Sequence, residues 1–233
     1  MKRIKELIKK KLLQYTIRYI SKNKIIQTIT SPTEKAALNL INSGFLYEKG
    51  WWLSWEKKEP VDKNTMPLPW VTYSFIDFIE KRLNKNMVMF EYGSGNSTLY
   101  YSSFVKEVHT VEHDRQWFEK ILQVKPNNTH IKNIDLIYGG EYSRASLINN
   151  VKYDIVIVDG RDRVNSMVNS IDSIGDSGVI VLDDSERDTY KEGIKNLLDN
   201  RFKQLDFWGI SPGFISYNKC TSIFYRDNNV LGI

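Results

Sequence analysis

The chain has 233 residues, 26% of them charged and 41% hydrophobic, with a formal net charge of +5 at pH 7. This length suits one α/β domain with a short N-terminal extension, and no apolar stretch approaches the roughly 18 residues that span a membrane. The single cysteine, Cys220, excludes an intrachain disulfide and a cysteine-cluster metal site, and it favours a cytoplasmic location.

The positive charge is concentrated at the N-terminus. Residues 1–24 contain nine basic side chains and one acid, whereas the rest of the chain contains 24 basic and 27 acidic side chains. Because the basicity is local, nucleic acid is not a predicted partner. Apolar residues recur at helical spacing between the lysines and predict a basic amphipathic helix (Ile4, Leu7, Ile8, Leu12, Tyr15). This helix either contacts an anionic membrane surface or a polyanionic partner, or it packs on the domain or on a second subunit.

A second helix is predicted to begin at Ser31. Pro32 suits its first turn, Glu34 completes a capping box, and Gly44 fits its end. Residues 45–69 are predicted to be irregular and rich in aromatic side chains.

That aromatic segment has two interpretations: a lid that closes over a ligand, or a plug that caps the sheet. Residues 1–69 are therefore predicted to form a helical and aromatic extension, and residues 70–233 the main domain.

Helices and strands alternate through the main domain. Ser74 is predicted to open a helix that leads into the first strand. The predicted strands are 87–90, 107–112, 134–138, 154–158, 179–182, 203–208 and 222–226, and the helices between them lie near 97–105, 114–121, 143–150, 164–174 and 190–198. Since no helix separates the last two strands, they are predicted to pair antiparallel.

The first strand–helix–strand unit carries the most informative motif. The first strand ends in Glu91, a glycine-rich turn follows (Gly93-Ser94-Gly95-Asn96-Ser97), and the second strand ends in Glu112. Glycines let the backbone turn tightly and approach a ligand, and a carboxylate 21 residues after the first accepts hydrogen bonds from ribose hydroxyls. The third glycine of the dinucleotide motif is replaced by Thr98, which disfavours a nicotinamide cofactor.

The pattern Glu91-x-Gly93-x-Gly95-x-Ser97 resembles motif I of class I S-adenosylmethionine (SAM)-dependent methyltransferases, with Ser97 in place of the usual third glycine. The resemblance covers residues 70–226. It implies an α/β fold with a Rossmann-like, seven-stranded, mostly parallel sheet whose last strand is reversed, with helices on both faces.

The resemblance also implies the residues that bind SAM. The motif I segment would hold the methionine part, Glu112 and His113 the ribose or adenine, and Gly139, Gly140 and Glu141 the adenine, while Asp159 would lie beside the sulfonium. The full predicted set is Glu91, Tyr92, Gly93, Ser94, Gly95, Ser97, Thr98, Glu112, His113, Gly139, Gly140, Glu141 and Asp159.

Acidic residues follow the fourth and fifth strands, where ligands bind in open parallel sheets. Asp159, Asp183 and Asp184 are the predicted catalytic residues, because an oxygen acceptor must lose a proton. The placement resembles that of catechol-type O-methyltransferases, so Mg²⁺ is a second cofactor that these three carboxylates would suit. The alternative is that they pair with nearby arginines.

Arg161, Arg163 and Arg187, with Trp70, are predicted to bind the acceptor. Arginine matches carboxylate and phosphate geometry, so the acceptor would be a small anionic molecule such as a sugar phosphate or nucleotide sugar; salt pairing with the neighbouring acids is the alternative. The segments around Asp159 and Arg187 resemble methyltransferases that tailor glycans or natural products.

The function predicted from the sequence is SAM-dependent O-methylation. The alternatives are a non-catalytic module that binds a nucleoside cofactor and docks through its basic helix, and a nicotinamide-dependent enzyme.

Overall fold

A seven-stranded mixed sheet organises the chain in a computed structural model that describes residues 31–213 and 215–233. Its strands are β1 (Val88–Tyr92), β2 (Glu107–Glu112), β3 (Thr129–Asn133), β4 (Tyr153–Val158), β5 (Ile174–Asp183), β6 (Lys203–Gly209) and β7 (Lys219–Tyr225). Their order is β3-β2-β1-β4-β5-β7-β6. All pairs are parallel except those of β7, which is antiparallel to both β5 and β6. The predicted reversed last strand is confirmed.

Helices cover both faces of the sheet. In chain order they are α1 (Pro32–Asn42), α2 (Phe45–Glu48), α3 (Trp51–Lys57), α4 (Tyr73–Ile79), α5 (Asn96–Phe104), α6 (Arg115–Val124), α7 (Arg163–Ser170) and α8 (Lys191–Asp199), with 3₁₀ turns at Tyr142–Leu147 and Asp188–Tyr190. The predicted basic helix of residues 1–24 lies outside the described residues.

Alternate residues of the central strands point to two separate cores, as the period of a strand requires. Met89 of β1 packs with α4 and α5 on one face, whereas Phe90 packs with the first 3₁₀ turn, α7 and α8 on the other. β4 is apolar from Ile155 onward because it is covered on both faces. None of the helices in the described ranges is long and apolar enough to cross a membrane.

The segment before the sheet packs on the domain and contacts the start of α5 and the segment that precedes β7. Trp51 and Leu68 belong to the first core. The Trp51 indole donates to the Ile215 carbonyl at 3.2 Å, and the Asn96 amide at the start of α5 donates to the Pro60 carbonyl at 2.9 Å. The extension therefore rests against the segments that surround the glycine loop.

Several predicted boundaries were wrong in the first half of the chain. Residues 45–57 are not irregular: α2 and α3 form there, separated by Gly50 at φ +76°, and the prolines come only afterwards. The α4 helix is capped by Thr72, not Ser74, because the Thr72 hydroxyl accepts from the Phe75 amide, whereas the Ser74 hydroxyl donates to the Trp208 carbonyl.

The third strand was predicted at 134–138 and lies at Thr129–Asn133. The prediction followed the apolar residues, but β3 is an edge strand that pairs only with β2, so it can be built from polar side chains. Ile137 and Tyr138 are 68% and 71% exposed in the following loop. The fifth strand was predicted too short: β5 begins at Ile174, which pairs with Tyr153 instead of ending the preceding helix.

Candidate active site

A cleft of about 570 Å³ opens at the carboxyl ends of β1, β2, β4 and β5. This volume is within the roughly 300–1,000 Å³ range of cofactor and ligand sites. The cleft is lined by Trp70, Glu91, Tyr92, Gly93, Ser94, Ser97, Glu112, His113, Asp114, Trp117, Asp159, Gly160, Arg161, Arg163, Asp183, Asp184, Arg187, Ile215 and Lys219. Most of the site residues predicted from the sequence are therefore brought together in one cleft.

Two glycines let the ends of β1 and β4 approach each other. Gly93 has φ +89°, and a Cβ there would lie 3.1 Å from the Gly160 Cα. A Cβ at Gly160 would lie 2.1 Å from the Tyr142 hydroxyl and 2.8 Å from the Gly93 nitrogen. Neither position accepts a larger residue, so this contact maintains the narrow floor of the cleft.

Glu91 supports the glycine loop from below. It is 1% exposed, the Thr98 hydroxyl donates to it at 2.5 Å, and the Gly95 amide donates to the Thr98 hydroxyl at 3.0 Å. Burial raises the pKa of Glu91 to about 8, with hydrogen bonds from Ser97 and Thr98 acting in the opposite direction. Glu91 is thus largely protonated at pH 7, and Thr98 connects it to the loop.

Glu112 closes the other side of the loop. Its Oε2 accepts from the Ser94 amide at 3.0 Å and lies 3.2 Å from the Ser94 hydroxyl. Its Oε1 accepts from the His113 and Asp114 amides at 2.8 and 2.9 Å. The carboxylate is 5% exposed and lines the cleft. It is therefore held in one orientation by backbone donors at the edge where a ribose would lie.

Trp117 was not predicted as a site residue. It lies in the first turn of α6, its indole donates to the Ser94 carbonyl at 2.5 Å, and it is 38% exposed at the cleft. In the sequence it resembled an apolar helix position. Its position three residues after the N-cap Asp114 and directly beyond β2 was the available signal, since that place lies beside the glycine loop.

Asp159 ends the floor of the cleft beyond β4. Its Oδ1 accepts from Arg163 Nη2 at 2.9 Å. Burial raises the pKa of Asp159, the Asp183 carboxylate raises it further, and the positive charges of Arg163 and Lys219 act in the opposite direction. A carboxylate that lines a cleft and has a raised pKa can accept a proton near neutral pH.

Arg163 is fully engaged by the protein, contrary to its predicted role as an acceptor ligand. Its donors reach the Gly160, Asp159 and Asp183 carbonyls as well as the carboxylates of Asp159 and Asp184. A guanidinium has five N–H donors, so none is left for an acceptor in this arrangement. The sequence alternative, salt pairing with the acids, describes Arg163 correctly.

Arg161, Arg187 and Trp70 lie at the open side of the cleft. Arg161 is exposed and forms no ion pair with another described residue. Arg187 pairs with Asp184 at 2.6 Å but is 47% exposed, so it has further donors facing solvent. Trp70 is 36% exposed and packs against Gly213.

Lys219, the first residue of β7, was also not predicted. It is 2% exposed, and its ammonium lies 2.5 Å from Asp183 Oδ2 and 2.7 Å from Asp184 Oδ1. Because β7 runs opposite to β5, its first residues lie at the edge where β5 ends, and Asp183 is paired with Thr221. The reversed strand thus places a lysine among the predicted catalytic acids.

Some predicted cofactor residues lie beside the cleft and do not line it. Gly139 donates its amide to Asp162 Oδ2 at 2.7 Å, Gly140 and Glu141 follow in the same loop, and Glu141 is exposed. Their contact with adenine stays a prediction. Gly95 and Thr98 lie behind the loop surface, where Thr98 is buried.

A separate group of potential metal ligands lies on β2 and the neighbouring edge strand β3: Glu107, His109 and His130 have ligand atoms within 4.8 Å of one another. The Asn149 amide lies 3.0 Å from His109 Nδ1, while its carbonyl accepts from Lys132 at 2.8 Å. This arrangement puts the His109 proton on Nε2, which lies 3.4 Å from Glu107. Burial lowers the pKa of His109. The group is thus explained as a hydrogen-bonded packing unit.

The fold resembles solved structures, although no protein-family model and no curated protein matches the sequence. A precorrin-6y C5,15-methyltransferase from Geobacter metallireducens superposes with a TM-score of 0.51 at 13% identity, over 66% of this chain and 87% of that chain. A precorrin-8w decarboxylase from Methanobacterium thermoautotrophicum superposes with a TM-score of 0.51 at 16% identity, over 73% and 97%.

At identities this low, the superpositions establish a shared fold and nothing about the reaction. The names of the two proteins indeed describe different reactions. The reversed β7 and the cleft beyond β1, β2 and β4 agree with the sequence prediction, and the superpositions agree with the predicted fold. The chain therefore has the fold of the class I SAM-dependent methyltransferases.

Proposed function

We propose that the cleft binds SAM and that the protein transfers the methyl group to an oxygen of a small anionic acceptor. The observation that carries this proposal is the contact between Glu112 and the glycine loop: the Ser94 amide and hydroxyl both lie within 3.2 Å of Glu112 Oε2. This contact joins a ribose-binding carboxylate to a turn that admits a ligand close to its backbone.

The residues of the cleft fit SAM. Glu112 would accept from the ribose in place of the Ser94 hydroxyl, and His113 and Trp117 present aromatic rings to the same cleft. The Gly93 and Ser94 carbonyls each accept one hydrogen bond in the structure and have a second acceptor position for the amino group of SAM. SAM itself supplies the reactive methyl group, so the protein has to bind, align and deprotonate the acceptor.

Asp159 is the proposed base. It lies between the glycine floor and the arginine side of the cleft, and its raised pKa suits removal of a proton from an acceptor hydroxyl near neutral pH. Arg163 orients it through a 2.9 Å contact. Asp183 and Asp184 are bound to Lys219 and the arginines, so we assign them to positioning and not to proton transfer.

Arg161 and Arg187 support an anionic acceptor, since both have donors at the open side of the cleft. A sugar phosphate, a nucleotide sugar or a carboxylated metabolite presents the oxygens that arginine binds in pairs. This proposal includes the glycan- and natural-product-tailoring class that the sequence resembles. Trp70 would cover the acceptor from the side of the extension.

The cofactor is tested first, by thermal unfolding with SAM, S-adenosylhomocysteine, NAD⁺ and buffer. A ligand at 100 times its Kd adds about 2.7 kcal/mol to the free energy of unfolding, so we expect SAM and S-adenosylhomocysteine to raise Tm and NAD⁺ not to. Glu112→Ala should remove most of this shift. Glu119→Ala, an exposed substitution on α6, should keep it. A shift with NAD⁺ alone, or with none of the three, would contradict the proposal.

The acceptor is tested by S-adenosylhomocysteine release from SAM in a panel of anionic and neutral hydroxyl compounds. We expect release with anionic compounds only. Arg187→Ala should raise the acceptor KM by about tenfold or more, because a charge-assisted hydrogen bond contributes roughly 1.5–3 kcal/mol, and should leave S-adenosylhomocysteine binding unchanged. An unaltered KM in this variant, or release with neutral compounds alone, would contradict an anionic acceptor.

A further inference from the structure

The ammonium of Lys219 lies among the acids that the sequence suggested as Mg²⁺ ligands. It lies 2.5 Å from Asp183 Oδ2 and 2.7 Å from Asp184 Oδ1, and 3.4 Å from the Trp70 carbonyl. The ammonium donates hydrogen bonds to the Asp183 carboxylate and to the Trp70 carbonyl, and its charge also pairs with Asp184 Oδ1. A divalent cation bridging the same two carboxylates would lie where the Lys219 nitrogen lies.

The remaining carboxylate oxygens are also engaged. Asp183 Oδ1 accepts from the Thr221 hydroxyl at 2.8 Å, and Asp184 Oδ2 pairs with Arg187 at 2.6 Å and with Arg163 at 3.5 Å. Asp183, Asp184 and Lys219 are all at most 7% exposed in their side chains. Buried charges are stable only when they are paired, and here the lysine and the arginines already pair these acids.

We infer that Lys219 takes the place of a divalent cation, so that the cleft holds its acceptor-side carboxylates without a metal. The inference deepens the proposed function and rests on it, because that function identifies this side of the cleft as the acceptor side. Its geometric basis is independent of the cofactor: Mg²⁺ requires carboxylate oxygens and waters around it, and the residues present offer it an ammonium instead. The acids therefore do not fit a metal centre while Lys219 is in place.

Lys219 is a positioning residue in this scheme. It connects the end of β5 to the carbonyl of Trp70 and thereby fixes one wall of the cleft. Among the described residues Asp159 forms no hydrogen bond or ion pair with Lys219 and pairs with Arg163 instead. Because the Lys219 ammonium is part of the chain, it neutralises the carboxylates without uptake of a metal ion and without removal of water bound to that ion.

The inference is tested by titrating the full chain with Mn²⁺ and measuring binding by calorimetry and by electron paramagnetic resonance. We expect no stoichiometric site in the wild type. Lys219→Ala removes the ammonium and leaves two carboxylates facing a space of suitable size, so we expect it to bind one Mn²⁺ at least tenfold more tightly than the wild type, and Mn²⁺ to raise its Tm. Adding Asp184→Asn should abolish the gain.

Lys203→Ala is the matched control, because Lys203 is an exposed lysine of the neighbouring strand paired with Asp227; it should behave as the wild type does. One Mn²⁺ per wild-type chain, lost in Asp184→Asn, would overturn the inference, as would a folded Lys219→Ala that gains no site. If that variant does not fold, the wild-type titration still decides. Mn²⁺ binding is measured in the absence of SAM. A failure of SAM to raise Tm would therefore contradict the proposed function without affecting this test.

Discussion

Glu91 shows how burial changes the role of a motif residue. The resemblance to motif I places this acid beside the methionine part of SAM. In the structure it lies under the loop, 1% exposed, and reaches the loop backbone through Thr98. Because burial raises its pKa to about 8, its charge is largely absent at pH 7, and its contribution is to hold the turn in place.

The raised pKa of Glu91 predicts a pH-dependent stability. Between its ordinary pKa of 4.5 and about 8, the folded chain keeps a proton that the unfolded chain has lost. Its stabilising contribution is thus complete below pH 4.5 and is lost as pH rises through about 8, at up to about 1.4 kcal/mol per pH unit. Glu91→Gln, which stays neutral, should lose less stability over this range in urea unfolding.

The control for this measurement is Glu119→Gln, because Glu119 is exposed and pairs only with Arg115 at 2.9 Å. It should follow the wild-type pH profile. If the profile of Glu91→Gln runs parallel to the wild type from about pH 5 to about pH 8, then Glu91 is ionised in the folded chain and the burial argument fails.

Helix starts depend on both local chemistry and distant contacts. The capping box of Ser31 and Glu34 formed as predicted, because both partners lie in the same turn. At α4 the sequence predicted a start at Ser74, and the structure places the cap at Thr72. Thr72 caps the helix because its amide donates to Thr221 and the next amide, of Tyr73, donates to the Ile210 carbonyl. Contacts to a strand about 150 residues away selected the start of this helix.

The cap of α6 should contribute measurably to stability. Asp114 Oδ1 accepts from the Trp117 amide at 2.8 Å, and the helix carries the Trp117 indole to the glycine loop. Removal of an N-cap side chain costs roughly 1 kcal/mol, so Asp114→Ala should lower the free energy of unfolding by about that amount in urea titrations.

Asp114→Asn tests the cap itself, because asparagine caps as well as aspartate does; it should remain within a few tenths of a kcal/mol of the wild type. Equal destabilisation by both substitutions would mean that the charge of Asp114, and not its hydrogen bond to the Trp117 amide, stabilises this part of the cleft.

Burial falls from the centre of the sheet to its edges. The last four residues of β4 and the last six of β5 are buried, whereas exposed or intermediate residues predominate in β3 and β6. The cleft lies beyond the buried central strands, so its floor is attached to the most buried part of the sheet, and the segments around Trp70 and Ile215 also line it.

This gradient predicts the order of amide hydrogen exchange. Exchange of deeply buried strands requires global unfolding, whereas edges open locally. We therefore expect β4 and β5 to exchange last in mass-spectrometric measurements, and β3 and β6 to exchange at least about tenfold faster. Slow exchange of β6 comparable to that of β5 would contradict the gradient and would indicate that another chain or segment covers this edge.

The sequence analysis did not identify Lys219 as a site residue and placed the third strand at the wrong residues. The glycine loop and Glu112 were found from their spacing within one strand–helix–strand unit, and Asp159 was found because it follows the fourth strand, whose carboxyl end lies at the same edge. Lys219 was missed because the last strand, although predicted as reversed, was predicted to begin at residue 222, whereas β7 begins at Lys219. β3 was missed because an edge strand with one neighbour does not need the apolar pattern that identifies buried strands.

The amino-acid sequence by itself determined the order of the strands and helices, the reversed final pair and the loop that lines the cleft, because these follow from local periodicity, turn chemistry and chain order. The pairing of charges followed from the folded chain alone. Asp183, Asp184, Arg163 and Lys219 come from three separate segments, and burial requires each charge to find its partner across them. That requirement decided that Asp159 pairs with Arg163 and that Asp183 and Asp184 are held by a lysine.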